Sequence, residues 1–192
     1  TSAFVIALIP LAWLLVTVLQ HGAGTLFNGT FLTSSMRNVV GEGGGAIHAI
    51  VGTLLITGMA AIISIPIGIL TAIYLVEYGR GAFAKAITFL VDVMTGIPSI
   101  VAGLFAYALF ALIFQDPGIR FGFGGSVALS LLMIPVVVRS SEEMLKIVPN
   151  ELREAAYALG VPKWLTTGKV VLPPSIAGIT TGIMLSISRV IG

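Results

Sequence analysis

Five apolar stretches, at about 3–20, 47–76, 86–114, 125–141 and 171–192, alternate with short polar connections along the chain. Each is close to or beyond the ~20 residues that an α-helix needs to cross the hydrocarbon core of a bilayer. The pattern predicts an all-α, multi-pass membrane protein with five transmembrane helices. The stretches 47–76 and 86–114 are longer than one straight crossing requires, so they are expected to tilt, kink or project beyond the core.

Basic residues sort the connections into two sets. The segments 21–46 and 115–124 each hold one, Arg37 and Arg120. The segment 77–85 holds Arg80 and Lys85, and 142–170 holds Lys146, Arg153, Lys163 and Lys169. Basic residues are retained on the cytoplasmic side, so 77–85 and 142–170 are predicted there, together with the N-terminus. The run Gly41-Glu42-Gly43-Gly44-Gly45 follows no strand and precedes no Lys-Ser or Lys-Thr pair, and it is expected to be a flexible external loop. Three stretches carry an internal Ile-Pro pair, ending at Pro66, Pro98 and Pro135. Proline removes a backbone donor and crowds the preceding turn, so a kink is expected at each. The kinks are either ordinary curvature or hinges around a moving pathway.

Composition agrees with the pattern. Of 192 residues, 57% are hydrophobic and 9% charged, against roughly a quarter charged in a soluble domain. A net charge of only +2 gives no footprint for nucleic acid. The absence of cysteine excludes disulfides, thiol catalysis and thiolate metal sites. No H-E-x-x-H, G-x-S-x-G or paired-aspartate constellation occurs, which leaves an intramembrane enzyme without machinery.

One stretch departs from the oil, PNELREAAYALGVPKWLTTGKVVLPPSIAG over 149–178. Pro149 at the first turn, Glu151 and Glu154 near the positive end of the dipole and Gly160 as a left-handed stop predict a short helix over 149–159. Val161-Pro162 bars direct continuation, and a second short helix is expected to begin at Pro162. Neither piece is long enough to cross a bilayer. Residues 149–165 therefore form a cytoplasmic elbow between the fourth and fifth spans, with Ala155 and Ala156 presenting a low surface to whatever approaches. An interfacial anchor would have the same amphipathic look. The spacing is more specific: Glu154-Ala155-Ala156, Gly160 three residues on, then Val170 and Leu172-Pro173 fit E-A-A-x3-G-x9-I-x-L-P with Val for Ile. Six identities at fixed offsets occur by chance roughly once per million positions.

That pattern resembles the cytoplasmic signature loop of bacterial ABC-importer permeases. The stretches GGGAIHAIVGTLL, TAIYLVEYG, DVMTGIPSIVAGLFAYALF, MIPVVVRSSEEMLKIVPNELREAAYALG and GIMLSISRVIG resemble the A-type permease subunits of phosphate-specific ABC uptake systems, from about residue 44 onward. The resemblance implies a single permease domain over 1–192, an importer for inorganic phosphate, and a coupling function for Glu154, Ala155, Ala156, Gly160, Leu172 and Pro173. It further implies a bacterial or archaeal plasma membrane, a second homologous permease subunit, two ATP-binding subunits and an extracytoplasmic phosphate-binding protein. ATP and Mg would be held by the partner ATPase. Within this chain, Thr166-Thr167-Gly168-Lys169-Val170 fails the phosphate-loop pattern, because Lys163 stands where the first Gly belongs and Val170 replaces Ser or Thr. The family usually has six helices, with an acid and a further helix after the arginine of SRVIG, so a sixth span is expected beyond Gly192.

Intramembrane charge gives an independent indication, because an ionised side chain at mid-bilayer costs on the order of 2.5–3.5 kcal/mol. Arg189 extends the face on which Gly178, Gly182 and Ser186 recur every four residues, so it is expected to point into the bundle. Snorkelling to the outer surface is the alternative. Arg139 follows three valines but precedes Ser140-Ser141-Glu142-Glu143, which fits an anchor at the cytoplasmic side equally well. The resemblance assigns both arginines to phosphate translocation, although their expected depths differ. Asp92 either pairs with Arg139 as a gate or lock or sits near the interface. An importer of sulfate or molybdate shares the signature loop, and an ATP-independent channel or carrier could use the elbow as an anchor.

Overall fold

A computed structural model describes residues 2–26, 29–36, 44–116, 118 and 121–191, with side chains of the first helix described over 8–24. Arg37, Arg120 and residues 41–43 of the glycine run lie outside the described residues. The helices are α1 (Ser2–Leu26), α2 (Ile47–Ile73), α3 (Gly81–Gly96), α4 (Ser99–Phe114), α5 (Gly122–Ile147), α6 (Asn150–Ala158), α7 (Lys163–Thr166) and α8 (Leu172–Ile191). Two five-residue π-helical segments, π1 (Tyr74–Tyr78) and π2 (Thr167–Val171), prolong α2 and join α7 to α8.

The chain divides into two compact units, Thr1–Thr53 and Leu54–Gly192. In the first, α1 runs for 25 residues from Ser2 to Leu26, ~37 Å at 1.5 Å per residue, and its apolar stretch with described side chains is Leu8–Gly24. Gly45, at the described end of the glycine run, is buried against the Phe31 and Ser34 carbonyls, which accept hydrogen bonds from Ala46 and Ile47. This end of the run is packed, contrary to the flexible loop expected there.

In the second unit α5 is the hub, and α3, α4, π1 and α8 all pack on it. Among the described residues, three continuous helices are long and apolar enough to cross a membrane: Ile47–Tyr78, Gly122–Ile147 and Lys163–Ile191. Outward faces are oil, with Ile62 of α2 and Ile100 and Leu112 of α4 each about three-quarters exposed. Small residues make the contacts between helices. On α2, Ala60, Ser64, Gly68 and Ala72 are buried one turn apart, the Ser64 hydroxyl donating to the Ser130 carbonyl of α5 at 3.3 Å. On α8, a Cβ on Gly178 would strike Met144 and one on Gly182 would strike Ser140. Without a hydrophobic drive between helices in lipid, such close backbone approach is the main source of packing energy. Where α2, α5, π2 and α8 converge, Ala72, Leu145, Val148, Val171 and Ile179 form a buried apolar cluster.

The stretch 86–114 is not a kinked helix but two, α3 and α4, bent by 109° at Ile97-Pro98. Pro98 offers no N–H and pushes Ile97 into extended geometry (φ −72°, ψ 125°). The Pro98 carbonyl then receives the N–H groups of Val101 and Ala102, which opens α4. The pair nevertheless joins the same two faces as α5. Asp92 of α3 meets Arg139 in the C-terminal half of α5, while Phe110 and Phe114 of α4 meet Phe121 edge-to-face, and Phe110 likewise meets Phe123, at its start. Pro66 and Pro135 stay inside continuous helices.

Candidate functional site

The break between α3 and α4 opens a cavity of about 570 Å³. Residues 94–99 form one wall, Leu129, Leu132, Pro135 and Val136 of α5 another, and Ser186, Arg189 and Val190 of α8 the third. Arg189 is the one charged residue among them. It does not lie flat against α5 with Gly182 and Ser186, which are buried; it is exposed and turned to the cavity. Ser99, the first residue of α4, lines the same space, and a helix N-terminus carries unsatisfied N–H groups and about half a positive charge. A guanidinium and a helix start facing one chamber favour an anion, an arrangement that broken membrane helices use for anionic groups.

Arg139 is elsewhere. Its guanidinium pairs with Asp92 of α3 and, at 2.7 Å, with Glu142 one turn along α5. Glu142 also binds Lys146 at 2.7 Å. The Glu142 side chain is 9% exposed, so it holds two cations with little water to help. α5 and α8 run antiparallel, since Gly178 meets Met144 and Gly182 meets Ser140. That register sets Arg189 beside residue 133, ~9 Å along α5 from Arg139. The two arginines occupy successive levels, and the structure brings Asp92 to Arg139 but not to Arg189.

The elbow forms as α6, with Pro149 at its N-cap rather than in its first turn. Its end is a Schellman motif: the Gly160 N–H reaches the Tyr157 carbonyl, the Val161 N–H reaches the Ala156 carbonyl, and Gly160 has φ +75°. Glu154 and Ala155 are exposed, as are Tyr157 and Leu159, whereas Ala156 is turned inward and buried. The low surface expected from both alanines is thus made by Ala155, with Leu159 at 83% exposure and Trp164 at 69% beside it. The second piece is not a separate helix, because α7, π2 and α8 run on as one from Lys163 to Ile191. Pro173 and Pro174 bring no N–H, so the carbonyls of Lys169 and Val170 lose their α-helical donors, and the chain widens into π2 at this point. Leu172 is half-buried and Pro173 exposed.

Two residues absent from the expected site hold the elbow. The Arg153 Nε donates to Glu77 Oε1 of π1 at 3.0 Å; the Glu77 side chain is buried and that of Arg153 is 11% exposed. Arg153 Nη1 donates to the Val148 carbonyl at 2.5 Å and to Asn150 Oδ1 at 3.2 Å, and Nη2 donates to the Leu145 carbonyl at 2.9 Å. One side chain thus caps the orphan carbonyls of α5 and ties α6 to the end of α2. Removing one partner of such a pair costs about 3–5 kcal/mol, because a charge is left buried and alone. Lys163 lies over the Tyr78 ring, 5.1 Å from its centre, and adds a second tie to π1.

An α-helical bundle with a broken span, a small-residue interior and an ordered elbow between its last two crossings is a permease architecture. Residues 64–192 match the family of binding-protein-dependent transport system inner membrane components, and the chain belongs to that family. It is 50% identical to phosphate transport system permease protein PstA 1 of Mycobacterium tuberculosis (strain H37Rv), across all of this chain and 62% of that protein. It is also 50% identical to PstA of Mycobacterium leprae, across all of this chain and 63% of that one. PstA of Pasteurella multocida is 42% identical, across 95% of this chain and 64% of its own length. The chain therefore spans somewhat less than two-thirds of these relatives. An inward-facing structure of the MetNI methionine ABC transporter shares the fold, with a TM-score of 0.60 at 20% identity, across 77% of this chain and 68% of that one.

Proposed function

We propose that this chain is the transmembrane permease subunit of an ATP-driven importer of inorganic phosphate in a bacterial or archaeal plasma membrane. Residues 1–192 contribute to one permease domain, with the N-terminus and the elbow in the cytoplasm. A second homologous permease completes the pathway, an extracytoplasmic binding protein delivers phosphate, and two ATPase subunits, which hold ATP and Mg, dock below. The exposed α6 face with Glu154, Ala155 and Gly160 is the docking piece, and Ala156, Leu172 and Pro173 shape it from behind. The chain breaks no bonds itself. Closure of the ATPase pair moves the elbow, and the helices around the 94–99 break rock between outward- and inward-facing states. Pro98 and Pro135 flank the cavity as hinges and Pro66 bends α2. Arg189 receives the dianion and the Arg139–Asp92–Glu142 network gates the next level.

The observation that carries the phosphate assignment is the cavity in which Arg189 and the start of α4 meet. An arginine fork suits a phosphate oxyanion bidentately, and truncating one partner of a buried charged contact costs about 2 kcal/mol or more. Radiolabelled phosphate uptake into vesicles bearing the whole complex tests this. Arg189→Ala should lower uptake about thirtyfold or more, and Arg189→Lys should restore only part of it. Unchanged uptake in Arg189→Ala, or uptake of sulfate or molybdate in place of phosphate, overturns the assignment. Purification without a stoichiometric ATPase overturns the importer itself.

A further inference from the structure

We propose that Arg153 and Glu77 form a strut that passes movement of the elbow into the ends of α2 and α5, a positioning role that rests on the permease function above. The Arg153 guanidinium touches three elements at once: Glu77 of π1, the Leu145 and Val148 carbonyls at the end of α5, and Asn150 of its own helix. No other side chain of α6 makes an ion pair to a membrane helix among the described residues. Away from that contact α6 is left free, with Leu152, Ala155 and, at its C-cap, Leu159 exposed. A push on that face therefore reaches the bundle through this guanidinium, through π2, and through the chain itself.

The receiving positions suit transmission. Glu77 sits in π1, and π-helical turns are rare elements found frequently at functional sites. Leu145 belongs to the buried cluster with Ala72 and Ile179, so a shift there is shared by α2, α5 and α8. Arginine's rigid planar fork holds its partners in a fixed geometry that a flexible ammonium does not. Stability alone is a weak reason for such a pair, since buried ion pairs are often replaced by apolar residues of similar volume at no loss of folding.

That last fact supplies the test. In the complete complex reconstituted in liposomes, Glu77→Leu with Arg153→Met removes the strut without leaving a bare charge. Phosphate imported per ATP hydrolysed should fall at least fivefold while hydrolysis itself persists. Arg153→Lys keeps a charge opposite Glu77 but does not span both carbonyls, and it should fall between. An unchanged ratio in the double variant, or uptake and hydrolysis falling in parallel, overturns the strut. A second readout does not involve the cargo. In a cysteine-free full-length background, spin labels at Leu159→Cys on the elbow and Leu70→Cys on α2 should give one narrow distance distribution without nucleotide. The double variant should broaden it. Equal widths overturn the strut whatever is transported, whereas absence of phosphate uptake by the unsubstituted complex overturns the phosphate assignment and leaves the label distances to decide the strut.

Discussion

Replacing single glycines by alanine on α2 and α8 separates rigid from yielding contacts. At Gly68 an added Cβ would lie 2.6 Å from Val137 Cγ1, 2.8 Å from Val137 Cβ and 3.5 Å from the Val138 nitrogen. Ordinary carbon–carbon contact is at ~3.8 Å, so α2 and α5 must part by about 1 Å. Val137 is fully buried, and a β-branched side chain on a helix has essentially one rotamer, so it does not swing away. Overpacking of this kind costs about 1–3 kcal/mol. At ~2–4 °C per kcal/mol for a chain of this size, Gly68→Ala should lower the unfolding midpoint by roughly 2–12 °C. Gly178→Ala meets a closer clash, but with Sδ and Cγ of Met144, whose three rotatable bonds let the side chain move. Its cost should be below ~1 kcal/mol. Gly58→Ala, also within α2, meets nothing within 4 Å and should gain up to ~1 kcal/mol from helix propensity. Thermal unfolding of the purified chain in detergent, followed by far-ultraviolet circular dichroism, ranks the three. If Gly178→Ala costs as much as Gly68→Ala, or Gly68→Ala behaves like Gly58→Ala, helix spacing is not set by the Gly68–Val137 contact.

Glu142→Gln strips charge from both Arg139 and Lys146 and should cost about 2 kcal/mol, whereas Asp92→Asn, at a well-exposed carboxylate, should change stability by less than ~0.5 kcal/mol; unfolding midpoints compare them. Gly160→Val forces a branched residue to φ +75°, costing about 1–2 kcal/mol locally, and should undo the end of α6; hydrolysis should continue while uptake fails, and normal uptake would refute a docking role for that end. Glu154→Gln should weaken ATPase docking without altering phosphate delivery to the complex, which co-purification and uptake together measure.

The elbow was legible because its signals are local. Gly160 as a stop, Pro162 as a break and the acid-rich first turn each act within a few residues, and α6 ends within one residue of expectation. The α8 stripe of Gly178, Gly182 and Ser186 was legible for the same reason, and the matching α2 stripe, from Ala60 to Ala72, has the same period. The Arg139–Glu142–Lys146 spacing of three and four residues places those groups on one helical face, a signal present in the sequence but passed over. The three Ile-Pro pairs look alike, yet only Pro98 breaks its helix completely, since neighbouring helices accommodate the others. Glu77 and Arg153 are 76 positions apart, and no periodicity joins them. Their pairing exists only once α2 and α5 have packed, which is why Arg153 reads from the sequence only as one of the cytoplasmic cations of 142–170.

The Arg139 cluster has an electrostatic consequence. Arg139 and Lys146 contribute two positive charges, Asp92 and Glu142 two negative ones, and the four sum to zero. From a distance such a quartet is a multipole, whose field fades far more steeply than that of a lone ion. Arg189 is matched by no carboxylate in its chamber and acts as a monopole. Of these two sites, Arg189 therefore exerts the longer-ranged pull on an anion, and ionic strength should screen that pull while leaving the neutral quartet nearly indifferent to salt.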